Sequence, residues 1–206
     1  MSPRRYTMGA RAEAVGRTRE RILAAARELL VTGDVQRVTV DEIAANADVA
    51  RATVYQRFGS KVGVVEGLVE DLERRAGLDE LVTVVRAHPP EGLIRAVAVA
   101  GCRYWATDPD LVRTITALGR LQPEIAEMLA PHDAGRAVVL ERMADRLEAG
   151  GVLSPTCPRA AAFDVLWLLT SFDAYDLLAA GRGLAPGAVA EQLTAVLEAR
   201  LTNGAS

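Results

Sequence analysis

Chemically versatile side chains are scarce in this chain. Its 206 residues hold two cysteines, two histidines and a single lysine, and each scarcity closes off a class of protein. Cys102 and Cys157 are far apart and form no CxxC pair. That excludes a disulfide scaffold or a cysteine-ligated zinc site and fits a reducing, cytoplasmic setting. His88 and His132 have neither a second histidine nor a carboxylate at helical ligand spacing. No metal site is expected, and both read as surface or capping residues. Cys102 has no neighbouring histidine or oxyanion-hole motif, and the chain has no glycine-rich phosphate loop, so neither an enzyme nor a cofactor is expected. No run approaches the roughly 18 apolar residues of a membrane span. No apolar core follows the basic start Met1–Tyr6 as a secretory signal would require. Aromatics are 4% of the chain, and no long Val, Ile, Thr or aromatic run alternates with period two, which argues against a sheet.

What is present is helical. Half of the residues are hydrophobic and a quarter charged, the balance of a soluble globular protein, and Ala and Leu suit helices. The net charge of −3 is unevenly spread: residues 1–61 carry +4 and residues 62–206 carry −7. A basic head on an acidic body fits a head that binds a polyanion.

Residues 1–17 hold Arg4, Arg5, Arg11 and Arg17 with little apolar periodicity and read as a flexible basic arm. A helix is expected over 18–31, where Ile22, Ala25, Ala26, Leu29 and Leu30 form one stripe, with Gly33 beyond it as a C-cap. Thr39 followed by Glu42 is a capping box that starts a short helix to about Asn46. Ala47–Ala50 is a tight turn, and Arg51–Phe58 a third helix whose Val54 and Phe58 face inward with Ile43 and Val49. A longer helix follows Ser60, a candidate N-cap. Beyond Gly77 come more helices: one broken at His88-Pro89-Pro90, one reaching about Ala106, one from Asp108-Pro109 to near Gly119, and one opened at Gln122-Pro123 and interrupted at Pro131. Others run to Gly150, over 159–180 and from Pro186 to about Leu201. The domains expected are 18–62 and 63–206.

Two short helices joined by a tight turn and supported by a longer one is helix-turn-helix spacing. In that geometry the second helix of the pair enters the major groove. Arg51 and Gln56 can make paired hydrogen bonds to guanine or adenine edges, and Ala52 and the methyl of Thr53 suit a thymine methyl. Tyr55 offers a hydroxyl to a phosphate, Lys61 stands just after the helix, and Thr39 can present its hydroxyl and a free amide to a phosphate. A three-helix packing module with solvated Arg and Gln would share this spacing. Tyr55, beside Val54 and Phe58 but facing elsewhere, is hard to place in packing alone.

The stretch from Arg19 to about Leu68 resembles the DNA-binding domain of the TetR family of transcriptional regulators. Arg21-Ile22-Leu23-Ala24-Ala25-Ala26, Val38-Thr39-Val40-Asp41-Glu42-Ile43-Ala44 and Ala47–Lys61 carry the resemblance, with Tyr55-x-x-Phe58-x-x-Lys61 at the end. Two positions depart from the family pattern: Asp48 stands where glycine is usual, and Ala50 where Ser or Thr is usual. Asp tolerates a left-handed backbone better than most residues, and Ala50 forgoes a side-chain cap. The resemblance implies DNA-facing roles for Thr39, Arg51, Ala52, Thr53, Tyr55, Gln56 and Lys61. It also implies an all-α fold, a homodimer, and a larger C-terminal domain for effector binding and dimerisation.

Over 159–180 the chain is apolar nearly all round, so that helix must be buried on more than one side. A second copy, met through this segment and the stripe of 187–201, would cover it. A pocket is expected between the middle helices and the 159–180 segment, with Cys102, Trp105, Leu118, Leu121, Met128, Met143, Trp167 and Phe172 as candidate lining and Tyr104, Asp173 and Tyr175 as candidate polar groups. The expected function is a DNA-binding regulator, a repressor released from a palindromic operator by a small hydrophobic effector. The rival is a helical dimeric interaction module that binds DNA poorly. A steep salt dependence of DNA binding would separate the two.

Overall fold

A computed structural model describes the backbone of residues 3–33 and 37–202, and the side chains of 16–33 and 37–202. Among the described residues every regular element is a helix: α1 (Pro3–Thr32), α2 (Val40–Asn46), α3 (Arg51–Phe58), α4 (Lys61–Ala76), α5 (Leu78–Ala87), α6 (Pro90–Trp105), α7 (Pro109–Leu121), α8 (Pro123–Ala149), α9 (Arg159–Leu169), α10 (Phe172–Arg182) and α11 (Pro186–Leu201). The fold is all-α, as the sequence predicts. The helix predicted over 18–31 reaches back to Pro3, through the segment read as an arm. The side chains of Arg4, Arg5 and Arg11 lie outside the described residues.

The chain divides into two compact units, Met1–Asp71 with Arg113–Leu129, and Leu72–Val112 with Ala130–Ser206. The first therefore does not end at residue 62. The reason lies in α4, whose Val64, Val65 and Leu68 are buried. Gly63 and Gly67 let this helix press against its neighbours: a Cβ at Gly63 would fall 1.9 Å from the Phe58 carbonyl oxygen, and one at Gly67 2.7 Å from the Phe58 ring and 3.2 Å from Leu23. α1, α2 and α3 close on Ile22, Leu23, Ala26, Leu30, Ile43, Ala44 and Val54, all buried.

The second unit has two cores. In one, Leu93, Ile94, Val97, Met143, Leu147, Leu166, Leu197 and Leu201 pack together. In the other, Leu72, Cys102, Val112, Phe172, Tyr175, Val189 and Leu193 do. Two boundaries differ from expectation here. Pro131 lies inside α8 and does not interrupt it. A mid-helix proline costs about 3 kcal/mol, and burial of Ile125 before it and Leu140, Met143 and Leu147 after it outweighs that. The segment 159–180 is two helices, not one. The Thr170 hydroxyl donates to the Leu166 carbonyl at 2.7 Å, and the Ser171 hydroxyl donates to the Leu168 carbonyl at 2.7 Å while accepting from the Ala174 amide at 3.2 Å. These side chains compete with the backbone for its own hydrogen bonds and recap a new helix.

Candidate functional site

The helix-turn-helix pair is built by local chemistry. Thr39 is the N-cap of α2. Its hydroxyl accepts from the Glu42 amide at 3.2 Å, and Glu42 Oε2 accepts from the Thr39 amide at 2.8 Å and hydroxyl at 2.9 Å. Those bonds, the backbone one first, hold the Glu42 carboxyl below its ordinary value. They also correct one expectation: the Thr39 amide is not free, and its hydroxyl reaches a phosphate only by turning from Glu42. Asp48 forms the turn at φ 50, the left-handed backbone that glycine would otherwise supply. Ala50 caps α3 with no side-chain bond.

The turn has a brace that the sequence reading passed over. Arg21 Nη2 donates to the carbonyls of Ala47 at 2.6 Å and Asp48 at 2.8 Å, and to Asp48 Oδ2 at 3.0 Å. Arg21 stands outside the apolar stripe of α1, where a cation is ordinarily solvated, so nothing in the periodicity marks it. The guanidinium fastens the supporting helix to the turn.

On α3, Val54 is buried while Arg51, Ala52, Tyr55 and Gln56 are exposed. One face therefore locks the helix to the unit and the other is presented outward. Thr53 is half-buried, its amide bound to the Ala50 carbonyl at 2.8 Å. Tyr55 is 41% exposed, and the Arg51 guanidinium lies 5.3 Å from its ring centre. Arg51 Nη2 donates to the Tyr55 hydroxyl at 3.3 Å, and Nη1 donates to Asp41 Oδ2 at 3.2 Å. These contacts, Tyr55 first and Asp41 next, raise the Arg51 pKa. Lys61 is the first residue of α4. Partial burial lowers its pKa, against the carboxylates of Glu124 and Glu42, which raise it. Six of the seven residues read as DNA-facing thus stand on or beside α3, and Thr39 stands at the head of α2.

The second unit holds a cavity of about 390 Å³, within the range of small-molecule sites. Its apolar wall includes Leu81, Val82, Val97, Trp105, Val139 and Leu140. Its polar lining is Glu73, Tyr104, His132, Asp133, Arg136 and Thr170. Of the residues expected to line a pocket, Trp105 does. Cys102 lies beside a separate, much smaller hollow, and burial pushes its thiol up to about 11. Met143 is sealed in one core and Phe172 in the other. Trp167 packs on the first core, with the Arg136 guanidinium 4.2 Å from its ring centre. Leu118, Leu121 and Met128 belong to the other unit, Leu118 buried and Leu121 exposed. Helical periodicity could place each on a face, but not say which faces meet. Tyr104, named as a candidate polar group, does line the cavity, whereas Tyr175 is buried in a core and Asp173 is exposed. His132 is no surface residue: half-buried, its Nδ1 lies 2.7 Å from Glu73 Oε1.

No described helix is long and apolar enough to cross a membrane. Residues 22–68 match the family described as bacterial regulatory proteins, tetR family. The chain is similar to the HTH-type transcriptional regulator EthR of Mycolicibacterium smegmatis, 28% identical over 182 residues, 85% of this chain and 80% of that protein. Over 55 residues it is 44% identical to the nucleoid occlusion factor SlmA of Idiomarina loihiensis, 27% of this chain and 28% of that one. Its fold is similar to that of NalD, the secondary repressor of the MexAB-OprM multidrug efflux pump in Pseudomonas aeruginosa. There the TM-score is 0.75 at 22% identity, over 94% of this chain and 100% of the other. It is also similar to SmeT in a complex with triclosan, with a TM-score of 0.70 at 17% identity, over 91% and 92% of the two chains.

Proposed function

We propose, from the premise that this chain carries the N-terminal domain of the tetR family of bacterial regulatory proteins, that it is a repressor released from its operator by a small molecule. The observation that carries the reading is α3, with Val54 buried and Arg51, Ala52, Tyr55 and Gln56 presented outward. That is the arrangement a recognition helix needs to enter a major groove. Arg51 and Gln56 read base edges, Ala52 and Thr53 contact thymine methyls, and Tyr55, Lys61 and Thr39 hold phosphates.

The protein works as a homodimer on a palindromic operator, because a two-fold axis relates two recognition helices to two half-sites. Support for a second copy comes from α9, α10 and α11, where Leu168, Leu177 and Val196 are 65%, 71% and 50% exposed. Apolar side chains so exposed mark an interaction surface. The effector occupies the cavity lined by Trp105, Tyr104, Glu73 and His132, and its binding favours a conformation that holds DNA less tightly. The setting is cytoplasmic, where the operator is.

Selection of the full-length protein on a randomised duplex library, with binding to the enriched site at two salt concentrations, tests this. The expected result is a palindromic site whose affinity falls steeply with salt, by about 0.9 in log–log slope per phosphate neutralised. A folded dimer that enriches no site would leave the interaction-module reading in its place.

A further inference from the structure

The cavity differs from an ordinary apolar pocket in how its polar atoms are committed. Several of its donors are turned to the protein itself. The Arg136 guanidinium donates to the Trp167 carbonyl at 2.5 Å and the Thr170 hydroxyl at 3.0 Å, and lies over the Trp167 ring. Trp105 Nε1 donates to the Thr170 carbonyl at 3.1 Å, and the Thr170 hydroxyl donates to the Leu166 carbonyl at 2.7 Å.

Its acceptors are open. Glu73 Oε1 receives His132 Nδ1 at 2.7 Å, and because a carboxylate only accepts, Nδ1 carries the proton. In the neutral ring, Nε2 is then an acceptor. Glu73 Oε2 has no hydrogen bond among the described residues, nor has the hydroxyl of Tyr104, a residue 9% exposed. Burial raises the Tyr104 pKa, and the nearby Glu73 carboxylate raises it further, so the hydroxyl stays protonated and uncharged. These groups come from α4, α6 and α8 and converge on one space. Charge points the same way: two carboxylates, Glu73 and Asp133, and one guanidinium, Arg136, line the cavity, beside the edge-packed rings of Tyr104 and Trp105, whose centres lie 4.8 Å apart.

Resting on the reading of this cavity as the effector site, we infer that it takes a monocationic amphiphile: an apolar body against Leu81, Val82 and Val97, and a protonated amine donating to Glu73, His132 and Tyr104. An ammonium supplies three donors to three acceptors, restores neutrality and gains the faces of the two rings. A carboxylate of equal length would meet Glu73 and Asp133 as like charges.

The test uses the full-length protein with decylamine, decanol and decanoate below their micellar concentrations. Tryptophan fluorescence and melting temperature report binding. Decylamine is expected to bind at least about tenfold more tightly than the other two, since a charge-assisted bond is roughly twice as strong as a neutral one. Glu73→Gln should abolish that preference, and Tyr104→Phe should reduce it. Gly101 lines the cavity with no atom within 4 Å of where its Cβ would stand, so Gly101→Leu should fill the space and remove binding of all three. Decanol or decanoate binding as tightly as decylamine would overturn the amine inference while leaving the effector site standing. Binding of none of the three, or binding indifferent to Gly101→Leu, would overturn both.

Discussion

Arg51 and Asp41 are joined across the helix-turn-helix: Nη1 donates to Oδ2 at 3.2 Å, and Nε stands 3.1 Å from Oδ1. Asp41 is in the first turn of α2 and Arg51 begins α3, so the residue proposed to read a base is held by the helix before it. Both side chains are well exposed, and solvent screening leaves such a pair little weight in stability. Its consequence is therefore for binding. Asp41→Asn should leave the fold intact and raise affinity for every duplex, since a carboxylate is removed from the DNA-facing side. It should also lower the ratio of specific to non-specific affinity by freeing the Arg51 rotamers. Arg51→Ala should cost about 1–3 kcal/mol on the selected site and relax one base pair. Parallel binding isotherms on the selected site and a scrambled duplex check both, and an unchanged ratio in Asp41→Asn would show that Asp41 does not position Arg51.

Arg21 is expected to matter more for stability than its exposed position implies. Without its guanidinium, the carbonyls of Ala47 and Asp48 and the Asp48 carboxylate lose their donor. Hydrogen bonds to a charged group are worth about 1.5–3 kcal/mol, and partial exposure lowers that. Arg21→Ala should destabilise the first unit by about 1–2 kcal/mol, with Arg21→Lys between it and the native protein. Asp48→Val should cost a similar amount, because a β-branched residue resists φ 50. Urea unfolding of the three variants measures this, and a loss below a few tenths of a kcal/mol for Arg21→Ala would refute the brace.

The contrast between Arg21 and Thr39 shows where sequence reading reaches. Thr39 and Glu42 act over three residues, so their capping box is visible in the chain, as are the helices α2 and α3 that it helps to space. Arg21 acts on Asp48 across the fold, and no local rule points to it. The cavity is harder still. It is bounded by Glu73, Tyr104 and His132 from three helices, and helical periodicity tells which side of each helix is apolar but not which helices meet. Of the expected lining, Trp105 faces this cavity, while Met143 and Phe172 fill cores as their apolar surroundings would allow. The α9–α10 break was hidden for another reason: the apolar pattern runs across Thr170 and Ser171, and only their hydroxyls betray the interruption.

Acidification should loosen the helix-turn-helix through Glu42. Its carboxyl is held below its ordinary value by the Thr39 amide and hydroxyl. A lowered folded-state value means that the group stabilises the fold above the ordinary carboxylate range, and that this contribution is lost as pH falls through the folded value. Glu42→Gln has no such titration. The stability difference between the native protein and Glu42→Gln should therefore be largest near neutral pH and shrink on going down to about pH 3. Urea unfolding at both pH values measures it, and a difference that stays constant with pH would rule out the carboxylate as the source.

Leu168 and Leu177 carry the strongest prediction about assembly. They are 65% and 71% exposed on α9 and α10, helices whose opposite sides are sealed by Leu166 in one core and by Phe172 and Tyr175 in the other. Covering a leucine side chain is worth about 1.5–3 kcal/mol, and in a two-fold dimer each is covered twice, once per copy. A carboxylate there would be buried without a partner, at a cost of several kcal/mol. Leu177→Glu, and Leu168→Glu separately, should therefore give folded monomers, because neither side chain supports the core of its own protomer. Sedimentation equilibrium would then report one chain where the native protein reports two. The monomers should keep weak binding to a half-site and lose tight binding to the palindrome. A variant that stays dimeric would move the seam away from its helix, and a monomer that still binds the full palindrome tightly would disconnect dimerisation from operator recognition.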